Sequence, residues 1–364
     1  MTNGIIKGLT PLIDSLREEK RPVFLYGMGN GAEKVFEYLT DKGIGIKGVV
    51  ASDAFVRGQS FLGHRVKTIR EAEEEYGKLC LALCFGLEED RHEFLDPPRE
   101  RGHRIVSPNL PVYGEGCLDA DFIKENADRF DRLFDMLADA ASKEVLSSVL
   151  RYCYTGDPDH LEIANAGDAP SGFYRRKGIH IDVGAYDGDT VKEFISAKGE
   201  DCGKIFAFEP DPYAFRKLKA GVGSLEGVTC VNSAVGGKNG EVNFSFGKGR
   251  ATSADQSGRD VSKCVTVDGF FGFNDISSSS EPVGTIKIDA EGMDEEVICG
   301  AANTLYCCKT SVCTAVYHRA DDLINLPFLL KSYDLKYRFY LRKKPCVPAW
   351  DVFLYALRGE PGEE

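Results

Sequence analysis

Side chains that exchange protons alternate with apolar ones in the run GTIKIDAEGMDEE. Lys287, Asp289 and Glu291 occupy every second position, so a strand there presents all three on one face. The glycine and helix-forming residues that follow predict that Asp289 and Glu291 lie where the strand gives way to a helix. Carboxylates in such a place can take a proton from a reacting hydroxyl, which is general base catalysis.

His318 comes at the end of the next apolar run, SVCTAVYH, so we expect its imidazole beside those carboxylates. The base is then His318 or Asp289. Glu291 orients the acceptor or serves as the base itself, and Lys287 balances the charge of the acids. The alternative is a buried salt bridge between Lys287 and a carboxylate, with no part in catalysis.

A glycine turn, Asp182-Val183-Gly184-Ala185-Tyr186-Asp187-Gly188, follows the apolar run GIHIDV. An acidic residue at the strand end suits an ammonium group, directly or through water, and the two glycines leave room beside it. S-adenosylmethionine carries an ammonium, a carboxylate and a sulfonium but no phosphate, so this turn predicts a site for its methionine portion. The predicted contacts from the turn are Asp182, Gly184, Ala185, Tyr186, Gly188, Asp189 and Thr190.

Glu209 ends the run KIFAFE, 21 residues after Gly188. A carboxylate there can accept hydrogen bonds from both ribose hydroxyls of the cofactor. We expect Pro210 beside it, and Ser233 and Ala234, at the end of a third strand, next to the adenine. A glycine turn that only packs a helix against a strand is the alternative.

The segments IDVGAYDGDTVKEF, FAFEPDPYAF, VNSAVGGKNGEVNF, VTVDGFF and IKIDAEGMDEEVICGA, in this order, resemble the FkbM family of S-adenosylmethionine-dependent methyltransferases. The resemblance covers about residues 178–358. It implies methyl transfer to oxygen, commonly a hydroxyl of a sugar or secondary metabolite, with no metal. Tyr186 and Val267 are mild departures from the family pattern, which often has Asn and Leu there.

Basic residues cluster in YRFYLRKK, and the alternation places Arg338 and Arg342 on one strand face. Either guanidinium suits an anionic group of the substrate, and we favour Arg342. A solvated charged face is the alternative.

A second glycine turn, Gly27-Met28-Gly29-Asn30-Gly31-Ala32, lies near the N-terminus, with Asp53 within reach of a ribose hydroxyl. Residues 20–110 resemble the nucleotide-binding-like module on sugar-modifying enzymes. A dinucleotide, another nucleotide-like or sugar ligand, and a scaffold without ligand all remain open for this turn.

The chain has 364 residues and a net charge of −12, which disfavours nucleic acid and anionic membranes as partners. A small-molecule acceptor, a sugar or nucleotide-linked sugar among the candidates, fits better. Twelve scattered cysteines without a C-x-x-C, and no signal peptide or membrane span, predict a soluble cytoplasmic protein with free thiols. The oligomeric state is left open, a homodimer included.

Strand and helix patterns alternate in both halves of the chain, which predicts an α/β protein. We expect two doubly wound Rossmann-like domains joined by a helical segment, after an opening helix over 4–18. The predicted limits are 1–113 for the first domain, 114–177 for the helical segment and 178–364 for the methyltransferase domain.

These features favour an S-adenosylmethionine-dependent O-methyltransferase. The alternatives are a nucleotide-dependent oxidoreductase or epimerase that uses the N-terminal glycine turn, and a non-catalytic ligand-sensing protein.

Overall fold

The structure is a computed structural model that describes residues 1–163, 167–199, 202–245, 253–254, 260–273, 281–333 and 336–359. Within these ranges, no helix is both long enough and apolar enough to cross a membrane. All twelve cysteines are free, and half of them are buried.

The first half of the chain builds a sheet of six strands in the described residues: β1 (Val23–Tyr26), β2 (Ile46–Ala51), β3 (Ser60–Phe61), β4 (His64–Thr68), β5 (Cys80–Leu83) and β6 (Arg104–Val106). Their order is β3-β4-β2-β1-β5-β6, and all neighbours except β3 and β4 are parallel. The central strands β1 and β5 are buried at every residue, as strands covered on both faces must be. The helices before and between these strands are α1 (Thr2–Ile5), α2 (Leu12–Arg17), α3 (Asn30–Asp41), α4 (Ile69–Tyr76) and α5 (Arg91–Glu100).

The predicted opening helix over 4–18 is wrong as a single element, because α1 ends at Ile5 and α2 begins at Leu12. Gly8 adopts a positive φ of 79°, and Pro11 precedes α2 as its N-cap. Both residues interrupt a helix that the spacing of apolar side chains alone would continue.

A helical segment follows the first sheet, with α6 (Ala120–Glu125), α7 (Ala127–Met136) and α8 (Ala140–Thr155), and α9 (Ser171–Arg175) precedes the second sheet. Asp119 and Asp139 cap α6 and α8 by accepting hydrogen bonds from backbone N–H groups. Gly156, in the left-handed conformation, ends α8. The segment that the sequence predicts as helical therefore contains α6 to α9, with side-chain caps on α6 and α8.

The second half contains the strands β7 (Ile179–Val183), β8 (Ile205–Phe208), β9 (Val228–Val231), β10 (Ala234–Val235), β11 (Gly240–Ser245), β12 (Ser253–Ala254), β13 (Asp260–Val265), β14 (Val283–Ile288), β15 (Ser311–Ala315), β16 (Arg338–Lys343) and β17 (Val352–Leu357). Seven of these described strands form a sheet in the order β16-β17-β15-β14-β7-β8-β9. The strands from β15 to β9 run parallel, and β17 and β16 are antiparallel to their neighbours. The helices are α10 (Asp189–Lys198), α11 (Pro212–Val222), α12 (Val267–Phe271), α13 (Asp294–Cys299), α14 (Ala302–Cys308) and α15 (Asp322–Ser332).

A small separate sheet in the described residues joins β10, β13, β11 and β12. Within CVTVDGFF, β13 ends at Val265 and α12 follows. Thr266 caps α12 by accepting a hydrogen bond from the N–H of Gly269. Ser233 and Ala234 do not end the third strand, because β9 stops at Val231.

One continuous buried cluster joins the two large sheets through α8. It contains Leu81 of the first sheet, Leu146 of α8, and Ile288 and Leu341 of the second sheet. The predicted α/β fold class, two doubly wound Rossmann-like units joined by a helical segment, is confirmed. The residue limits of the domains stay a prediction.

Candidate active site

The carboxyl ends of β9, β8, β7, β14 and β15 lie at one edge of the second sheet, because these neighbours run parallel. A cavity of about 1000 Å³ occupies this edge. Ligands of open α/β sheets bind in this position. The volume is at the upper end for one small-molecule ligand, so a cofactor and an acceptor can bind side by side.

Eight of the eleven residues predicted to contact the cofactor line this cavity: Gly184, Tyr186, Asp189, Thr190, Glu209, Pro210, Ser233 and Ala234. Their contact with a cofactor stays a prediction. Asp182, Ala185 and Gly188 do not line the cavity.

Asp182 is completely buried and is used inside the protein. One of its oxygens accepts the hydroxyl proton of Thr190, and the other lies 3.3 Å from the Nζ of Lys287. Burial raises its pKa, and the charge of Lys287 opposes that shift. Asp182 therefore holds the glycine turn and Lys287 in place, and its contact with a cofactor ammonium, directly or through water, stays a prediction.

Gly184 and Gly188 are required by backbone geometry and packing, and their expected role of leaving room for the cofactor stays a prediction. Gly184 has a φ of 74°, and a Cβ on it would lie 1.9 Å from the backbone oxygen of Asp289. Gly188 has a φ of 88°, and a Cβ there would meet the side chain of Val222 at 2.8 Å. Ala185 is completely buried in a small apolar cluster around α10 and α11.

Glu209 is buried, yet it lines the cavity directly after β8. Its Oε2 accepts the N–H of Tyr186 at 3.0 Å, and its Oε1 accepts the N–H of Asp211 at 2.8 Å. Each oxygen keeps a second acceptor position, which is what a pair of ribose hydroxyls requires. Burial raises the pKa of Glu209 to about 7, against the two backbone hydrogen bonds, which lower it.

Lys287, Asp289, Glu291 and His318 come together at the end of β14, as the sequence predicts. The Nζ of Lys287 lies 3.6 Å from Asp289, and the Nε2 of His318 lies 3.2 Å from Asp289 and 3.8 Å from Glu291. The side chains of Asp289 and Glu291 are about one-quarter exposed, whereas that of His318 is completely buried.

The pKa values of Asp289 and Glu291 are shifted in opposite directions. Burial raises the pKa of Asp289, but the charges of Lys287 and His318 outweigh it and hold that pKa below its usual range. Burial raises the pKa of Glu291 to about 8, because the charge of His318 offsets only part of the burial effect. Glu291 also adopts a φ of 50°, a strained conformation for a residue with a side chain.

His318 lies outside β15, which ends at Ala315, and its ring is enclosed by carboxylates. Its Nδ1 lies 2.7 Å from Asp294, opposite the face that meets Asp289. Burial lowers its pKa, but the charge and hydrogen bond of Asp294, together with Asp289 and Glu291 at the other ring nitrogen, keep it well above the usual value. This enclosure by acids favours an imidazolium, which has no free lone pair, so the geometry disfavours His318 as the base and that role stays a prediction.

Asp294 and Asp322 were missed by the sequence reasoning. Atoms of Asp294, His318 and Asp322 lie within 4.8 Å of one another, close enough for a metal site. Backbone N–H groups of Ala290 and Gly292 donate to Asp294, and the N–H of Arg319 donates to Asp322. These bonds make the group a hydrogen-bonded charge network. The acidic start of α13 was the available signal for Asp294.

Arg342 does not reach the cavity, which corrects its assignment to the site. Its guanidinium pairs with Asp139 at 2.7 Å and donates to the backbone oxygen of Asp168 at 2.9 Å. It therefore ties β16 to the N-terminus of α8. Lys344, two residues later, lines the cavity instead.

The N-terminal glycine turn is packed closely against the end of β5. A Cβ on Gly27 would lie 2.6 Å from the ring of Phe85, and one on Gly31 would lie 2.3 Å from the backbone oxygen of Cys84. Asp53 is exposed in a single 3-10 turn (Asp53–Phe55). Close packing therefore accounts for two of the three glycines. This geometry does not favour a bound dinucleotide over a domain that serves only as a scaffold.

The far side of the cavity comes from segments that the sequence reasoning left unassigned. The loop after β5 contributes Gly86 and Glu88–Asp90, and the loop between β16 and β17 contributes Lys344–Cys346, Trp350 and Asp351. Tyr317 and Phe353 complete this wall. Two loops far apart in the chain meet here, so local sequence patterns carried no signal for it.

The family model described as the methyltransferase FkbM domain matches residues 182–343 of the chain. The match confirms the resemblance seen in the sequence, and with it an S-adenosylmethionine-dependent methyltransferase domain.

A relative described as 2-O-methyltransferase NoeI from Sinorhizobium fredii (strain NBRC 101917 / NGR234) is 28% identical over 144 residues. This alignment covers 35% of the chain and 58% of the relative's length. The crystal structure of methyltransferase FkbM from Methylobacillus flagellatus KT is similar to 98% of this chain and 96% of its own, with a TM-score of 0.70 and 16% identity. At that identity the likeness shows the fold alone.

Proposed function

We propose, on the premise that residues 182–343 of this chain belong to the FkbM family of methyltransferases, that the protein methylates a hydroxyl group of a sugar-like small molecule. The observation that carries this proposal is the position of Glu291 and Asp289. They stand at the middle of the sheet edge, between two halves of one cavity. The NoeI relative, described as a 2-O-methyltransferase, supports oxygen as the methylated atom.

The half of the cavity above β7, β8 and β9 suits S-adenosylmethionine. When bound, this cofactor would supply an activated methyl group, to which an acceptor oxygen bonds in line as the methyl–sulfur bond breaks and S-adenosylhomocysteine leaves. Glu209 offers its free acceptor positions to the ribose hydroxyls, and Ser233 and Ala234 line the wall next to the expected adenine position. The residues present therefore fit the cofactor.

Glu291 is the general base in this proposal. It lines the cavity at the boundary between the two halves, and its raised pKa, about 8, matches proton transfer near neutral pH. As the acceptor oxygen bonds to the methyl carbon, the hydroxyl proton passes to the carboxylate of Glu291. Asp289 is the weaker base, because Lys287 and His318 hold it ionised.

His318 and Lys287 are positioning residues. His318 fixes the carboxylate of Asp289 on one side and that of Asp294 on the other, and Lys287 joins Asp289 to Asp182 under the glycine turn. This arrangement connects the expected methionine end of the cofactor with the base. We also propose a cytoplasmic location, which twelve free cysteines support.

The test uses the full chain, S-adenosylmethionine and a series of methyl glycosides, with formation of S-adenosylhomocysteine as the measured product. We expect Glu291→Gln to reduce turnover by roughly 10²–10⁴-fold, the usual contribution of a general base. The control is Glu295→Gln, the same chemical change at an exposed position on α13, which should retain wild-type turnover. Wild-type turnover in a folded Glu291→Gln variant would refute the base assignment.

A further inference from the structure

The cavity is divided by the order of strands at the sheet edge. β7, β8 and β9 lie on one side of β14, and β15, β17 and β16 lie on the other. The proposed cofactor half takes the first side, so the acceptor must bind over the second. Tyr317, Phe353 and the loop between β16 and β17 line that side.

The loop after β5 covers this acceptor half and is fixed to the second sheet. Leu87 and Val347 exchange two backbone hydrogen bonds, each of 2.8 Å. The buried Nζ of Lys343 donates to the backbone oxygens of Lys344 and Cys346, which holds the β16–β17 loop from below. The first domain therefore contributes a fixed wall to the active site of the second.

That wall is aromatic and acidic. Trp350, Tyr317 and Phe353 offer ring surfaces, and Glu88, Glu89 and Asp90 line the same half. The indole N–H of Trp350 is buried and makes no hydrogen bond within the described residues. Among the described residues, Lys344 is the cation on this wall, and it lies 3.5 Å from Glu193.

We propose that the acceptor is an uncharged or cationic polyhydroxylated molecule, and that Glu88, Glu89 and Asp90 exclude acceptors bearing a phosphate. The inference rests on the proposed function and narrows its substrate class. Glu88, Glu89 and Asp90 are exposed at the mouth of this half. Carboxylates accept hydrogen bonds from hydroxyl or ammonium groups, whereas a phosphate beside three of them meets like charge. Nucleotide-linked sugars are thereby disfavoured as acceptors.

The experiment compares methyl glycosides with the corresponding sugar 1-phosphates and nucleoside-diphosphate sugars, as acceptors and as ligands. Trp350 is the only tryptophan of the chain, so its fluorescence reports binding to this half in the presence of S-adenosylhomocysteine. For the wild-type chain we expect neutral glycosides to change the fluorescence and to be methylated. The phosphorylated counterparts should be turned over at least about tenfold more slowly.

The triple variant Glu88→Gln/Glu89→Gln/Asp90→Asn should reduce this discrimination about tenfold, with cofactor affinity unchanged. Its control is Glu33→Gln/Glu37→Gln/Asp41→Asn, which removes three exposed carboxylates from α3 and alters net charge equally. The control should discriminate as the wild type does.

Two outcomes overturn this inference while leaving methyl transfer established: a wild-type preference for phosphorylated acceptors, and equal discrimination in the triple variant and the wild type. Transfer to no acceptor of either series overturns the proposed function and this inference together.

Discussion

The Nδ1 of His318 lies 2.7 Å from a carboxylate oxygen of Asp294, and both side chains are completely buried. Asp289 and Glu291 approach the other ring nitrogen at 3.2 and 3.8 Å. A neutral imidazole cannot donate from both nitrogens, so this enclosure favours the imidazolium. His318 thus fixes the acids of the site by its charge, and Glu291 remains as the group able to accept a proton.

The charge of His318 should persist across neutral pH. Because its folded pKa is raised above the unfolded value of about 6.5, its stabilising contribution is complete below that value and is lost only as pH rises through the folded pKa. In an NMR titration from pH 5.5 to 8, the His318 ring signals should not titrate. The signals of buried His180, whose pKa burial lowers to about 3, should stay those of a neutral ring. A titration of His318 near pH 6.5 would contradict the enclosed imidazolium.

His318→Gln should destabilise the fold strongly. Removing one partner of a buried ion pair typically costs about 3–5 kcal/mol, because the remaining charges are left uncompensated. Denaturant unfolding at pH 7 measures this loss. His92→Gln is the control, since His92 is exposed and pairs only with Asp96 on the same helix, and it should change stability by less than about 0.5 kcal/mol. Equal stability of the two variants would show that His318 carries no buried charge.

Turnover should rise with pH up to about 8, because Glu291 must lose its proton to act as the base. The same raised pKa predicts a cost in stability. Above the unfolded value of about 4.5 the folded chain binds more protons than the unfolded chain, so stability falls as pH rises to about 8. Glu291→Gln should remove the pH-dependent rise of the rate. As pH rises from 5 to 8, the melting temperature of this variant should increase relative to that of the wild type. A rate profile that is flat from pH 6 to 8 in the wild type would contradict both statements.

We expect Gly188 to be required for packing against α11. Gly188→Ala should lower stability more than Gly199→Ala does, because both residues have a positive φ but only a Cβ at 188 meets a side chain. Val222 is that neighbour, at 2.8 Å, while a Cβ on Gly199 has nothing within 4 Å. Urea unfolding of the two variants provides the comparison. Equal losses would assign the whole effect to backbone strain.

Local patterns in the sequence predicted the features that depend on neighbours along the chain. The alternation in KIDAE is enough to place Lys287, Asp289 and Glu291 together, and the glycine turn after β7 is a local structure. Arg342 shows the limit of this reasoning, because its partner Asp139 lies 203 residues away. Gly188 is a second example of this limit. The turn pattern predicts a glycine, but only the packing of α11 shows which neighbouring atoms exclude a side chain at this position.

The wall formed by the loop after β5 and the loop between β16 and β17 also could not be predicted from local sequence patterns. The contact between Leu87 and Val347 joins two loops that carry no motif, and the periodicity of either segment does not reveal the other. The charge state of His318 was also out of reach, since it depends on burial and on Asp294, which the sequence presents only as one of several acids in a helix start.

Glu209 should control cofactor affinity. Glu209→Gln keeps the shape and one acceptor but removes the charge, so binding of S-adenosylhomocysteine should weaken by about 1.5–3 kcal/mol, or roughly 10- to 150-fold. Because burial raises the pKa of Glu209 to about 7, wild-type affinity should increase from pH 6 to 8, and the variant should lose that dependence. Glu226→Gln, an exposed change before β9, is the control and should bind as the wild type does.

Calorimetric titration of the full chain with S-adenosylmethionine, and in parallel with NAD, tests the central claim most directly. The account predicts one S-adenosylmethionine site per chain, an affinity that falls at least tenfold in Glu209→Gln, and no heat of binding from NAD. Binding of NAD with none of S-adenosylmethionine, or an affinity for S-adenosylmethionine that Glu209→Gln leaves unchanged, would contradict it.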